Sequence, residues 1–127
     1  MNQTAEKQPH LLIFHKPTTE PACSAAKASE EFNQAMAWID SLRTRGISLG
    51  GRPLEARGRV LRRKGEPAVD GPYAEGKEVI GGYLVILARD LDEATEIAAT
   101  CPSLDCSTTV EIRPIARVPV EFERVLS

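Results

Sequence analysis

The order of patterns along the chain predicts an α+β domain of ferredoxin-like βαββαβ type with an inserted β-hairpin. Three observations carry this. Two apolar runs, LLIF between His10 and His15 and YLVILA over 83–88, read as buried strands. Each is followed by a segment with helical spacing of its apolar residues, and each helix by a weaker strand. Between the two halves lies a glycine- and arginine-rich stretch with turn signals.

Residues 1–9, MNQTAEKQP, are polar and expected to fray. After the LLIF strand, 16–28 holds two prolines and reads as a loop. Ser29 fits an N-cap for a helix over 30–45, with Glu30 and Glu31 in its first turn. Phe32, Ala35, Met36, Ile39 and Leu42 form its apolar stripe, flanked by Trp38 as a core or interface residue, and Gly46 suits the position that ends it. A weak strand is expected over 47–51. A hairpin or two follows over 54–69, turning at Arg57-Gly58 and Lys64-Gly65.

Asp70-Gly71-Pro72 is a chain-reversal signal. Pro72 has no N–H, so the Asp70 carboxylate is expected to accept from the Tyr73 backbone N–H and start a short helical turn. Gly81-Gly82 then lets the backbone bend or approach a neighbour before the strand at 83–88. Asp90 and Glu93 fit a capping box for a second helix, with Leu91, Ala94, Ile97 and Ala98 on its apolar face and Cys101-Pro102 closing it. The alternation over 108–113 reads as a half-buried strand, and the tail over 114–127 as an edge strand or an arm that packs on a partner.

In this topology the two apolar strands are expected to lie centrally and parallel, with both helices on one face of the sheet. The second face is apolar as well, and an open apolar face in water is an aggregation hazard. A second copy of the chain is the simplest cover, so a homodimer packed sheet to sheet is expected.

The 127 residues suit one domain with its own core, and 42% apolar residues exclude a disordered chain. No apolar run approaches the roughly 20 residues that span a bilayer, and the N-terminus shows no signal-type segment, so a cytoplasmic protein is expected. A net charge of −2 argues against general nucleic-acid affinity. Eight basic residues over 43–64 face one acid, Glu55; they read as an anion patch or as a solvated hairpin whose charges guard an edge. Cys23, Cys101 and Cys106 are odd in number and irregular in spacing, which suits reduced thiols rather than disulfides or zinc. No metal cluster and no dinucleotide fingerprint is present, so no cofactor is expected.

His15 ends the first strand on the face shared with Leu11 and Ile13. There it suits a general base, or a histidine that bonds a loop. Asp70 could orient a histidine or position a substrate proton, or simply cap its turn. With parallel central strands, His15 and Gly81-Gly82 fall at opposite ends of the sheet. His15 then meets the Asp70 loop only if that loop folds back or a partner subunit supplies one of the two. Tyr73 could stack on a ligand or plug the core, and Glu75 could close over a pocket between the sheet and the 70–82 loop or remain solvated. Gly82, in the pair that permits close approach, completes the ligand-binding candidates.

The runs Asp70-Gly71-Pro72-Tyr73-Ala74-Glu75, Lys77-Glu78, Gly81-Gly82-Tyr83, Asp90-Leu91-Asp92-Glu93-Ala94, Cys101-Pro102 and Val110-Glu111-Ile112-Arg113-Pro114 resemble the YCII-related family in its DGPF branch. Tyr73 stands where that branch usually has phenylalanine. The resemblance extends to Trp38 and to the stretch 50–55, and covers most of the chain from Leu11 to Pro114. It implies a dimeric α+β barrel. For some members it implies cofactor-independent chemistry on small, often aromatic or chlorinated, molecules through a histidine–aspartate pair. That histidine lies at the start of the first helix, where this chain has Glu30 and Glu31, so the pair is not carried over. The resemblance also implies an association with extracytoplasmic-function sigma factors, hence the alternative of a non-catalytic interaction module.

Overall fold

The computed structural model describes residues 6–17, 25–71, 78–105 and 107–127. Within them the order is β1 (Gln8–Pro17), α1 (Ala25–Thr44), β2 (Ser48–Pro53), β3 (Gly58–Val60), β4 (Val69–Gly71), β5 (Glu78–Ala88), α2 (Leu91–Ala98), a 3-10 turn (Pro102–Asp105) and β6 (Thr109–Pro114). A second 3-10 turn (Val120–Phe122) and a short α3 (Glu123–Leu126) end the chain. The main sheet has the order β2-β5-β1-β6, and β3-β4 is a separate two-stranded sheet. This mixed α+β arrangement is consistent with a ferredoxin-like fold.

The apolar strands β1 and β5 are central, but they run antiparallel, with Leu12 opposite Leu84 and Leu11 opposite Val85. The parallel expectation was wrong for a reason of chain path. Helix α1 carries the chain back, so β2 runs in the direction of β1. The chain then reverses before β5, which pairs antiparallel with β2 and therefore with β1. His15 and Gly82 consequently lie at the same end of the sheet: Phe14 is opposite Gly82 and His15 opposite Ile80, leaving Gly81 as the extra residue of a β-bulge.

Helix α1 begins at Ala25 rather than near Ser29, so Ser29 is an exposed residue inside the helix and not its cap. Its end matches the expectation. Gly46 has φ +76, a left-handed conformation that costs glycine little, and its N–H donates to Arg43 O at 3.0 Å while Ile47 N–H donates to Leu42 O at 2.8 Å. These two bonds are those of a Schellman cap. In α2, Glu93 N–H donates to Asp90 Oδ1 at 2.8 Å, and the Glu93 carboxylate reaches back to Arg89 N–H at 2.7 Å, one residue before the usual capping-box donor. Leu91 is exposed, and the helix buries only Ala94 and Ala98.

Leu12, Leu42, Leu84, Ile86, Ala88, Ala94 and Ala98 form one buried cluster. It takes side chains from α1, α2, β1 and β5, so both helices cover one face of the sheet. The indole N–H of Trp38 donates to the Thr100 hydroxyl at 2.8 Å, and that hydroxyl donates to Ile97 O at 2.7 Å, tying α1 to the end of α2. His10 is buried on the helix face and donates from Nδ1 to Gln8 O at 2.9 Å.

The other face carries Leu11, Ile13, Val85 and Leu87, half-buried, with Ile80 and Tyr83 exposed. The tail adds no strand beyond Pro114, although Ile115 N–H still donates to Pro9 O at 3.1 Å. Its 3-10 turn and α3 leave Val120, Phe122, Val125 and Leu126 exposed. The inserted stretch forms one hairpin, β3-β4, in which Gly58 begins a strand instead of making a turn; Gly65 (φ +87) sits at its tip. Among the described residues no helix is long and apolar enough to cross a membrane.

Candidate functional site

A cleft of about 240 Å³ lies between α1 and the end of the sheet that holds Phe14 and Gly82. Its origin is a shortage of side chains. Gly82 occupies the helix face of β5, two residues before the buried Leu84, and a Cβ there would stand 3.1 Å from Arg52 O. A Cβ on Gly51, opposite Leu84, would collide with the Tyr83 backbone. Phe32 and Met36 of α1, one turn apart, therefore lack large side chains to meet on β2 and β5; they line the cleft and stay exposed. Phe14, Ala35, Ile39 and Leu84 complete its apolar wall.

The polar lining comes from Lys16, Glu31, Arg52, Ser103 and Thr108, with the thiol of Cys101. Ser103, Thr108 and Cys101 are buried. Burial pushes the Cys101 thiol above its ordinary value and the nearby charge of Glu31 adds to this, while hydrogen bonding with Ser103 pulls the other way. The net effect keeps the thiol protonated and a poor nucleophile. The cleft's volume lies a little below the roughly 300–1,000 Å³ usual for ligand sites, which suits only a compact molecule, and its apolar wall with a few polar groups is their usual make-up.

Of the predicted site residues, Gly82 lines this cleft. His15 lies on the opposite, helix-free face of the sheet, where Nε2 meets Glu111 Oε1 at 2.8 Å. Register explains the pair: Glu111 is opposite Ile13 in β6, a diagonal neighbour of His15 on the same face. Thr109, directly opposite His15, donates to Glu78 Oε2 at 3.2 Å, so this end of the open face holds two carboxylates. Asp70 is in β4, almost fully exposed, with Arg59 Nε 3.9 Å away. Its partner is thus on its own hairpin, and its strand is not part of the main sheet. Tyr73 and Glu75, and with them the expected turn after Asp70, lie outside the described residues.

Lys16, Phe32, Met36, Thr108 and Glu111 were not singled out for a site from the sequence. The available signal was the glycine pair: a strand that presents glycine beneath a helix carrying Phe32 and Met36 leaves space between them. On the hairpin, Arg57 pairs with Glu55 at 2.8 Å and Arg63 with Glu66 at 3.8 Å, so part of its basic charge is met by local acids.

The fold and cleft together define a small mixed α+β domain with helices on one side of a four-stranded antiparallel sheet. The model of the YCII-related domain matches residues 10–119, and the chain belongs to the YCII-related family. No curated protein matches the sequence.

Proposed function

We propose that this YCII-related protein binds a small, largely apolar molecule in the cleft between α1 and β5. The observation that carries this is the juxtaposition of Phe32 and Met36 with glycine-lined strands, which leaves a mostly apolar space beside the core. The motif from Asp70 to Tyr83 supports placing it in the DGPF branch. The test uses Trp38, the chain's single tryptophan, which lines the cleft. Benzyl alcohol should change Trp38 fluorescence saturably in the native protein. Ala35→Phe, which puts a ring into the space, should abolish the change while retaining a cooperative melt. No saturable change in the native protein with benzyl alcohol or with its acid analogue benzoate refutes the reading.

The working unit in this proposal is a homodimer that closes the open sheet face into an α+β barrel. Leu11, Ile13, Tyr83, Val85 and Leu87 are the apolar side chains in favour of it. Light scattering at micromolar concentration should give a two-chain particle, and Ile13→Glu should give a single chain. A one-chain particle for the native protein removes this part.

A second reading, base chemistry, is favoured by one observation, the His15–Glu111 contact at 2.8 Å. Histidine oriented by a carboxylate suits a general base. His15 and Asp70 stay the catalytic candidates of that reading, with Tyr73 and Glu75 as ligand contacts and Glu111 as the orienting acid within one chain. It requires that a bound molecule perturb the His15 ring resonances; a ligand that shifts cleft resonances and leaves His15 unmoved excludes it. The alternative of an interaction module would draw on the β3-β4 hairpin, where Arg57, Arg59 and Arg63 already face local acids.

A further inference from the structure

The charged residues that line the cleft are Lys16, Arg52 and Glu31. Lys16 is the one whose side-chain path is fixed by its surroundings. Its stem lies along Gly81: a Cβ on that glycine would stand 2.9 Å from Lys16 Cδ, 3.0 Å from Cγ and 3.1 Å from Cε. The bulge glycine therefore leaves the slot that the lysine methylenes occupy on their way past the cleft. Among the described residues no carboxylate lies within ion-pair distance of the Lys16 ammonium.

Thr108 is the second group. The β1–β6 ladder ends with His15 opposite Thr109, and Lys16 and Thr108 are the next residue along each chain segment, both lining the cleft. Thr108 is only 8% exposed and lines the cleft. Among the described residues no buried side-chain polar atom lacks a partner, so its hydroxyl, which no described residue meets, is open to solvent in the cleft and free to bond an occupant. Glu31 lies close enough to Cys101 to act on its thiol, and Ser103 bonds that thiol.

Resting on the cleft-binding reading, we propose that the occupant is a compact monocarboxylic acid. Its apolar body lies against Phe14, Phe32 and Met36, and its carboxylate lies on the Lys16 ammonium. The Thr108 hydroxyl donates the second bond to that carboxylate. Arg52 also lines the cleft, but it is paired with Tyr83, whose side chain is on the helix-free face, so Lys16 and Thr108 are the pair argued for here. An ammonium and a hydroxyl suit a carboxylate; a phosphate group offers more acceptors than these two groups satisfy. Glu31 also lines the cleft and disfavours a second negative charge on the ligand.

The test compares benzoate, benzyl alcohol and terephthalate by Trp38 fluorescence in the native protein, Lys16→Met and Thr108→Val. Benzoate should bind about five- to tenfold more tightly than benzyl alcohol, the margin of a hydrogen bond to a charged group in a partly open site. Terephthalate should bind more weakly than benzoate. In K16M the preference for benzoate over benzyl alcohol should fall to about unity, and in T108V it should shrink, as expected when one of two bonds is lost. Equal binding of benzoate and benzyl alcohol by the native protein, or an undiminished preference in K16M, overturns the acid assignment and leaves the cleft reading standing. If none of the three probes binds a natively folded protein, both fall together.

Discussion

The Trp38 indole reaches across from α1 to the Thr100 hydroxyl at 2.8 Å, and this bond joins the two helices where α2 has just ended. The same hydroxyl donates to Ile97 O, so Thr100 serves as acceptor and donor at once. Thr100→Val keeps the shape and removes both roles. It should lower stability by about 1 kcal/mol in urea unfolding, within the range for a hydrogen bond that water can partly replace. Trp38→Phe combined with T100V should cost less than the sum of the two single changes.

Gly51 has no room for a side chain. Its Cβ would meet the Tyr83 backbone, and a backbone cannot move aside as a flexible side chain can. Gly51→Ala should therefore detach β2 from β5, with loss of amide protection over 48–53 in hydrogen exchange and retention of protection in β1 and β5. Gly46→Ala acts differently. It meets nothing in space but forces alanine to φ +76, and should cost about 1 kcal/mol.

Leu84 is the buried central residue of β5, packed with Leu12 and Leu42. Leu84→Ala should cost about 2–5 kcal/mol in denaturant unfolding, the usual price of a core leucine. It also faces the cleft, so some of the lost volume should be taken up by probe molecules, and added benzyl alcohol should recover part of the stability.

Cys101 gives the molecule a pH dependence of known sign. Its folded value is raised, chiefly by burial, so the native state holds the thiol proton more tightly than the unfolded chain does. That contribution is fully present below the unfolded thiol value, about 8.5, and is lost as pH rises through the folded value. The stability of the native protein relative to Cys101→Ala should fall from about pH 8.5 upward. Iodoacetamide at neutral pH should modify Cys101 only when denaturant is added, as read by site-resolved mass spectrometry.

Asp90 caps α2 through Glu93 N–H. Asp90→Ala should cost about 1 kcal/mol, and Asp90→Asn appreciably less, because the amide oxygen still accepts that bond.

These features differ in how far they could be read from the residues alone. The Asp90–Glu93 cap and the Gly46 terminator were legible because the pattern and its bonds lie within a few residues of each other. The LLIF and YLVILA strands were legible because burial on a central strand leaves a run of large apolar residues. The start of α1 was not: Ser29 is a good cap by type, but the preceding small residues continue the helix back to Ala25, and a cap motif cannot report that its helix has already begun. The antiparallel relation of β1 and β5 escaped because apolar patterning carries no strand direction; it follows from the chain path through α1 and the hairpin. The cleft depends on register, since Gly82 matters only because it lies beneath α1. The His15–Glu111 pair joins residues far apart in sequence through the β1–β6 ladder, and nothing local announces it.

Helix α1 is held very unevenly along its length. Leu42 and the Gly46 cap fasten its C-terminal end into the core, while Phe32 and Met36, two turns earlier, overhang glycine. The floor of the gap beneath Phe32 is therefore made largely of backbone, and a molecule seated there would rest on glycine Cα atoms and peptide groups rather than on side chains that must first turn aside.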